Sequence, residues 1–276
     1  MVIFRSVFDN FLHLRRNGYF LDAVEEFKKY GGTSMNIVNF PDYNYAPEDH
    51  YTKLYEETIS VAREASNRGV NTVITIGPYP LDYFYFISAG IDPILSMKTG
   101  IDLAAKMIRK GKADAMGEIG FPHFPVEDNI YTDSGKILEY ALDVCNDYDI
   151  PLILHTEDMS SHGYAKIEEI IKKHYSTDRV MKHHANSMDL KYSTSILKSL
   201  VASRNNVRVA LESRSDFLLE TDYTDQREKP GKVIPVYSIP KRCEMIKNSC
   251  INYSEIFHRI FEEIPYKFYR KEFFDL

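Results

Sequence analysis

Residues 150–157 read IPLILHTE, a continuous apolar run that ends in a histidine, a threonine and a glutamate. A run without alternation is what a strand covered on both faces requires, and such strands belong to parallel sheets flanked by helices. An amphipathic stretch over 133–148 precedes it, and another fills the space before DRVMKHHA at 178–185. The same alternation extends in both directions. VIFRSVFD (2–9), SMNIVNF (34–40), VNTVITIG (70–77) and ADAMGEIG (113–120) read as strands, separated by helical stretches over 20–31, 49–68 and 99–111. A long connection after residue 77 reads as irregular. Toward the C-terminus both SILKSLVA and VRVALE fit a strand. Assigning the first as strand and RNNVRVALES as helix leaves a helix before DFLLETD at 216–222. Eight β units in about 220 residues predict a (β/α)8 TIM barrel rather than an open doubly wound sheet. The tail, from KRCEMIKNSC to YKFYRKEFFDL, reads as closing helices, and the aromatic end suits a barrel cover or an interface. No linker or repeat interrupts the chain, so residues 1–276 are expected to form a single domain.

Composition narrows the class. Of 276 residues, 44% are apolar and 27% charged, enough to bury a sizeable core. No run reaches the ~18 apolar residues of a membrane span, and the N-terminal stretch lacks a signal-peptide pattern. Three cysteines without paired spacing (Cys145, Cys243, Cys250) argue for reduced thiols, and the expected location is cytoplasmic. A net charge of −6 gives no general attraction to phosphate backbones. Arg15 with Arg16, Lys182 with His183 and His184, and Arg204 with Arg208 are the pieces from which a local basic groove could be built, although each alone reads as solvated surface.

In a barrel, chemistry gathers where strands give way to loops at the C-terminal face. Strand one ends in DNFLHL with His13, strand four in GEIG with Glu118, and strand five in LILHTE with His155. Strand six ends in MKHHA with His183 and His184, and strand eight in LLETD with Asp222. Taken singly, each has a structural reading: a hydrogen-bonded strand-end histidine, a turn carboxylate, a helix cap. Nitrogen and oxygen donors at five of eight strand ends instead suit one divalent site, with zinc first and magnesium or manganese as alternatives.

DNFLHL, GEIGFPHFPV, LILHTE, KHHA and ETDYTDQREKPG also resemble, in order, the landmarks of the TatD-related metal-dependent hydrolases of the amidohydrolase superfamily, especially their archaeal branch. The resemblance runs from residue 9 to about 231. It implies a TIM barrel with one or two divalent ions and phosphodiester hydrolysis of the deoxyribonuclease type. By the family's division of labour, His13 and Asp222 would serve a first metal, Glu118 would bridge, and His155 and His183 would hold the second. Asp222 would also be the catalytic base.

One position departs from that pattern. The family has Asp-Asn-His-x-His at the first strand, and here Phe11 replaces the first histidine. A phenyl ring has no donor atom. The expectation is therefore one secure ion at Glu118, His155 and His183, with a doubtful second site at His13 and Asp222. Strand alternation puts Asp9, Phe11 and His13 on one face, with Asp9 about 6.6 Å below Phe11. His123, in FPHFP, and His184 are spare donors for a substrate contact or a substitute ligand, and Arg15 is a candidate clamp for an anionic group. The expected substrate is a DNA end or, alternatively, a small ester or amide. A degenerate member that binds a metal or ligand with little turnover is the remaining reading.

Overall fold

The computed structural model describes residues 6–213, 215–229 and 233–274. Nine parallel strands form its sheet: β1 (Phe8–His13), β2 (Ser34–Val38), β3 (Asn71–Ile76), β4 (Ala115–Gly120), β5 (Leu152–His155), β6 (Val180–Ala185), β7 (Leu197–Val201), β8 (Leu218–Glu220) and β9 (Tyr223–Thr224). They are ordered β8-β7-β6-β5-β4-β3-β2-β1-β9. β8 and β9 are one course of chain, broken only at Thr221 and Asp222. Its first half pairs with β7 through Ser199 and Leu218, and its second with β1 through Leu12 and Tyr223. The two edges of the sheet are thus joined, and the eight units expected from the alternation close into a TIM-type barrel. SILKSLVA supplies β7, and the following segment is helical, as expected.

The helices between strands are α1 (Leu21–Lys29), α2 (His50–Asn67), α3 (Asp82–Ser88), α4 (Pro93–Arg109), α5 (Asp128–Tyr148), α6 (Ser161–His174) and α7 (Arg204–Glu212), with α8 (Ser238–Ser249), α9 (Tyr253–His258) and α10 (Ile264–Tyr269) closing the chain. Several boundaries and one element differ from the sequence reading. α4 begins six residues before the expected position 99, because Asp92 caps Ile94 and Leu95 through its side chain and Pro93 occupies the first turn. α5 starts at Asp128 rather than 133. The connection after β3 contains α3, whose DYFYFIS sequence is too short and too uniformly aromatic to show a helical period. β1 runs later than expected, from Phe8 to His13; the remainder of the 2–9 assignment lies largely outside the described residues.

The tail covers the barrel floor. Phe8, Phe268, Tyr269 and Phe274 are buried together, Tyr269 Oη donates to Asn10 Oδ1 at 2.8 Å, and Arg179 donates to the Phe268 carbonyl at 2.6 Å. These four rings therefore face inward, plugging the N-terminal end and leaving the opposite rim open. Cys145 and Cys243 are buried free thiols. Among the described residues, no helix is long and apolar enough to cross a membrane.

Candidate metal centre

The donor side chains come from β1, β4, β5, β6 and the break between β8 and β9. Three of these strands lose regular register where the site residues lie: between Asp9 and Leu12, between Met116 and Ile119, and between Lys182 and Ala185. Such irregularities re-aim side chains. In β1 the expected alternation of Asp9, Phe11 and His13 is broken. Asn10 donates to Ser199 Oγ at 2.9 Å, Phe11 reaches β6, and Asp9 accepts from Thr221 N at 2.9 Å and Thr221 Oγ1 at 2.6 Å. Gly120 has φ +148, and a Cβ there would lie 2.1 Å from the His155 carbonyl oxygen. Only glycine lets β4 end so close to β5, which keeps Glu118 beside His155.

Three buried donor atoms meet at the base of the rim. Glu118 Oε2 lies 2.6 Å from His155 Nδ1 and 2.8 Å from His183 Nε2, and the two nitrogens are 2.8 Å apart. Among the described residues, Glu118, His155 and His183 are the His, Cys, Asp or Glu group of three whose donor atoms all lie within 4.8 Å of one another. Two imidazole nitrogens facing each other and sharing one carboxylate oxygen fit a divalent ion, and two histidines with a glutamate make an open catalytic zinc set. Burial alone would raise the Glu118 carboxyl, but His183 and His155 outweigh it and hold it well below the usual carboxylate range. Burial lowers the His155 imidazole despite Glu118.

The other half of the rim is looser. His13 Nδ1 donates to the Val38 carbonyl at 3.1 Å, which leaves Nε2 facing Glu118 Oε1 and Asp222 Oδ1, both at 3.8 Å. Phe11 is fully buried beside them, stacked on His183 (4.1 Å between centroids, 16°) and edge-on to His13 (5.2 Å, 89°). Burial pushes the Asp222 carboxyl well above its usual range; His183 opposes this, and Glu220 and Glu118 add to it. Asp222 and His184 both have left-handed backbone, φ 46° and 51°, and His184 Nε2 lies 3.5 Å from Asp222 Oδ2. Non-glycine residues held there are sparsely populated and cluster at functional sites.

The remaining candidates take different places. His123 Nδ1 is 3.2 Å from His155 Nε2, so it touches the outer nitrogen of that ring rather than the three facing donors. Arg15 lies over the Phe40 ring at 4.7 Å and lines a neighbouring cavity with Arg16, which pairs with Glu57 and Glu64. Lys182 is buried, with its ammonium nearest the His183 carbonyl, so no basic groove forms there. The sequence reading missed Glu220. It is fully buried, accepts from His184 N at 2.7 Å, and stands 3.6 Å from His183 Nδ1. Its signal was present in LLETD, where a second carboxylate sits two residues before Asp222 on an apolar strand.

His13, Glu118, His123, His155, His183, His184 and Asp222 line a cavity of about 570 Å³, whose described wall also includes Phe40, Tyr79, Leu81, Glu157 and Asp158 and no lysine or arginine. A larger cavity, about 820 Å³, lies near the opposite end of the strands between Arg179, Leu197 and Phe268 and holds none of the donors.

A closed parallel barrel with buried histidines and carboxylates at its C-terminal mouth has the build of a metal-dependent hydrolase. The chain belongs to the TatD related DNase family, whose pattern matches residues 8–270. It is 24% identical over 240 residues to an uncharacterized protein of Methanocaldococcus jannaschii, a match spanning 85% of each chain. Its fold is similar to that of a TatD-like protein of Archaeoglobus fulgidus (TM-score 0.60, 19% identity, 98% of this chain and 100% of that one). It is also similar to a phosphotriesterase homology protein of Escherichia coli, solved with phosphate in its active site (TM-score 0.66, 15% identity, 96% and 99%).

Proposed function

We propose that the protein is a metal-dependent hydrolase that cleaves phosphodiesters, DNA ends among them, with Glu118, His155 and His183 holding one divalent ion, zinc by donor type. The meeting of those three buried donor atoms at 2.6–2.8 Å on the floor of an open cavity carries the reading. When bound, the ion supplies Lewis acidity to the reacting phosphoryl group and acidifies a water. Asp222, on the cavity wall 3.8 Å from His13 Nε2, accepts the water's proton and returns it to the leaving oxygen. His184, at 3.5 Å, orients that carboxyl from the rim. His13 faces both Glu118 and Asp222 and keeps its Nε2 turned inward through the Val38 carbonyl.

A second reading, ligand binding with little turnover, is favoured by Phe11, whose ring fills the space between His13 and His183. Asp222→Ala separates the two. Hydrolysis of bis(p-nitrophenyl) phosphate should fall to background while elemental analysis still finds one ion per chain. Turnover equal to that of the unmodified protein would remove Asp222 from the mechanism. Absence of diester hydrolysis in the unmodified, metal-loaded protein would sink the phosphodiesterase reading, and cleavage of p-nitrophenyl acetate alone would direct it to esters.

A further inference from the structure

A cavity of about 380 Å³ lies on the outer side of the sheet, between α1, β9 and the segment before α8, and shares no wall residue with the donor cavity. Three tyrosines, Tyr19, Tyr223 and Tyr237, and two acids, Asp22 and Glu26, form most of its wall. Asp22 and Glu26 stand four residues apart on α1, which puts them on one face of the helix. Their neighbour Glu25 pairs with Lys28 and Arg68. Among the described residues, Asp22 and Glu26 have no ion-pair partner, and the wall holds no lysine or arginine.

The wall is firmly built. Asp225, fully buried just after β9, accepts from Tyr223 Oη at 3.2 Å, from Tyr19 N at 2.7 Å and from Phe20 N at 2.8 Å. That close approach requires glycine at position 18, where a Cβ would lie 2.3 Å from Asp225 Cγ. One buried carboxylate therefore fixes the positions of two of the three tyrosines. The third, Tyr237, shows what such rings attract. The Lys241 ammonium sits 4.0 Å from its ring centroid and 4.8 Å from that of Tyr30, which packs against Tyr237. Lys241 is not itself on the cavity wall.

Charge and surface type select the occupant. Two carboxylates repel anions. A hard divalent ion needs several oxygen ligands around it, and ring faces do not supply them. An alkylammonium group offers positive charge to the carboxylates and to the ring faces, and its chain offers apolar surface to Pro235 and Val236. Carboxylates one helical turn apart, with Cβ atoms about 5–6 Å from each other, suit two positive centres joined by a short apolar chain.

We propose that this cavity binds an aliphatic diamine or polyamine, its ammonium groups on Asp22 and Glu26 and its methylene chain against Tyr19, Tyr223 and Tyr237. The site stands apart from the hydrolase reading, since none of its residues lines the donor cavity.

The test is titration of the full-length protein with 1,4-diaminobutane, followed by saturation-transfer NMR, with 1-aminobutane and 1,4-butanediol as the singly charged and neutral comparisons. The diamine should bind saturably and more tightly than the monoamine, and the diol should not bind. Tyr237→Leu, which keeps apolar volume, should weaken diamine binding about fivefold, whereas Tyr237→Phe, which keeps the ring face, should leave it nearly unchanged. Glu26→Gln, at an exposed position that folding does not depend on, should weaken it about threefold and reduce its dependence on salt. Tyr266→Leu, an exposed tyrosine on the wall of the 820 Å³ cavity, serves as the control. Absence of saturable binding, equal binding of the diol, or binding indifferent to both Tyr237→Leu and Glu26→Gln overturns the proposal. A loss in Tyr237→Phe as large as in Tyr237→Leu removes the ring face from the recognition and overturns it as well. So does an equal loss in Asp158→Asn, which would place the diamine at the donor cavity instead.

Discussion

At position 11 a fully buried phenyl ring lies nearly parallel to the His183 imidazole and edge-on to His13, so apolar packing fills the space between the two imidazoles. Phe11→His would place a nitrogen donor there. Elemental analysis should rise from one ion per chain to two, and diester hydrolysis should increase with it. The substitution also removes buried aromatic contact, and urea denaturation should show a loss of about 2–4 kcal/mol. An unchanged metal content would mean that the His13 and Asp222 side has diverged beyond a single residue. Glu220 acts one layer further out. It faces His183 Nδ1 at 3.6 Å and is bound to the His184 amide, so its charge stands directly behind the His183 ring. Partners of this kind contribute ten- to a hundredfold to metal affinity. Glu220→Gln should weaken zinc binding by roughly that factor in a chelator competition, with little change in the stability of the metal-free protein.

Among the elements, β1 and the β8–β9 break depend on each other. Asp9 receives hydrogen bonds from Thr221 N and Thr221 Oγ1, while Asp222 N donates to the Phe11 carbonyl at 3.0 Å. These bonds close the barrel where ordinary ladder pairing is interrupted. Burial pushes the Asp9 carboxyl up to about 8, although the Thr221 hydrogen bonds oppose it. Between the unfolded value of 3.8 and about 8, the folded chain therefore holds a proton that the unfolded chain has lost. More protons on the native state mean that stability falls as pH rises across this window and levels off above it. Asp9→Asn has no such proton, and its urea midpoint should be flatter from pH 4 to 8. A slope equal to that of the unmodified protein would place the titration elsewhere. The same irregularity explains why alternation failed in β1. A period of two predicts faces only while register holds, and register slips between Asp9 and Leu12.

For the whole molecule, the donors at Glu118, His155 and His183 come from three neighbouring strands, β4, β5 and β6, that lie side by side only in the folded sheet, so an ion bound there stabilises the native state by mass action. With zinc at about a hundred times its dissociation constant the gain is ~2.7 kcal/mol, and EDTA should lower Tm by roughly 5–10 °C. In His183→Ala the chelator should have little effect. An equal drop in that variant would place the stabilising ion at another site.

The sequence by itself determined the alternation of strands and helices, the eight β units, and the strand ends at which His13, Glu118, His155, His183 and Asp222 fall. These follow from local patterns: continuous apolar runs, helix stop signals, and polar residues where a run ends. Only the tertiary structure decided which of those donors touch. It drew Glu118, His155 and His183 together at 2.6–2.8 Å and left His13 at 3.8 Å from Glu118 and Asp222. It also brought Glu220 behind His183, set Arg15 against Phe40, and stacked Phe124 on Phe84. The reason is physical. Side-chain direction at these places is set by register slips, left-handed residues and strand closure, which depend on partners far away in the chain and leave no period in the sequence.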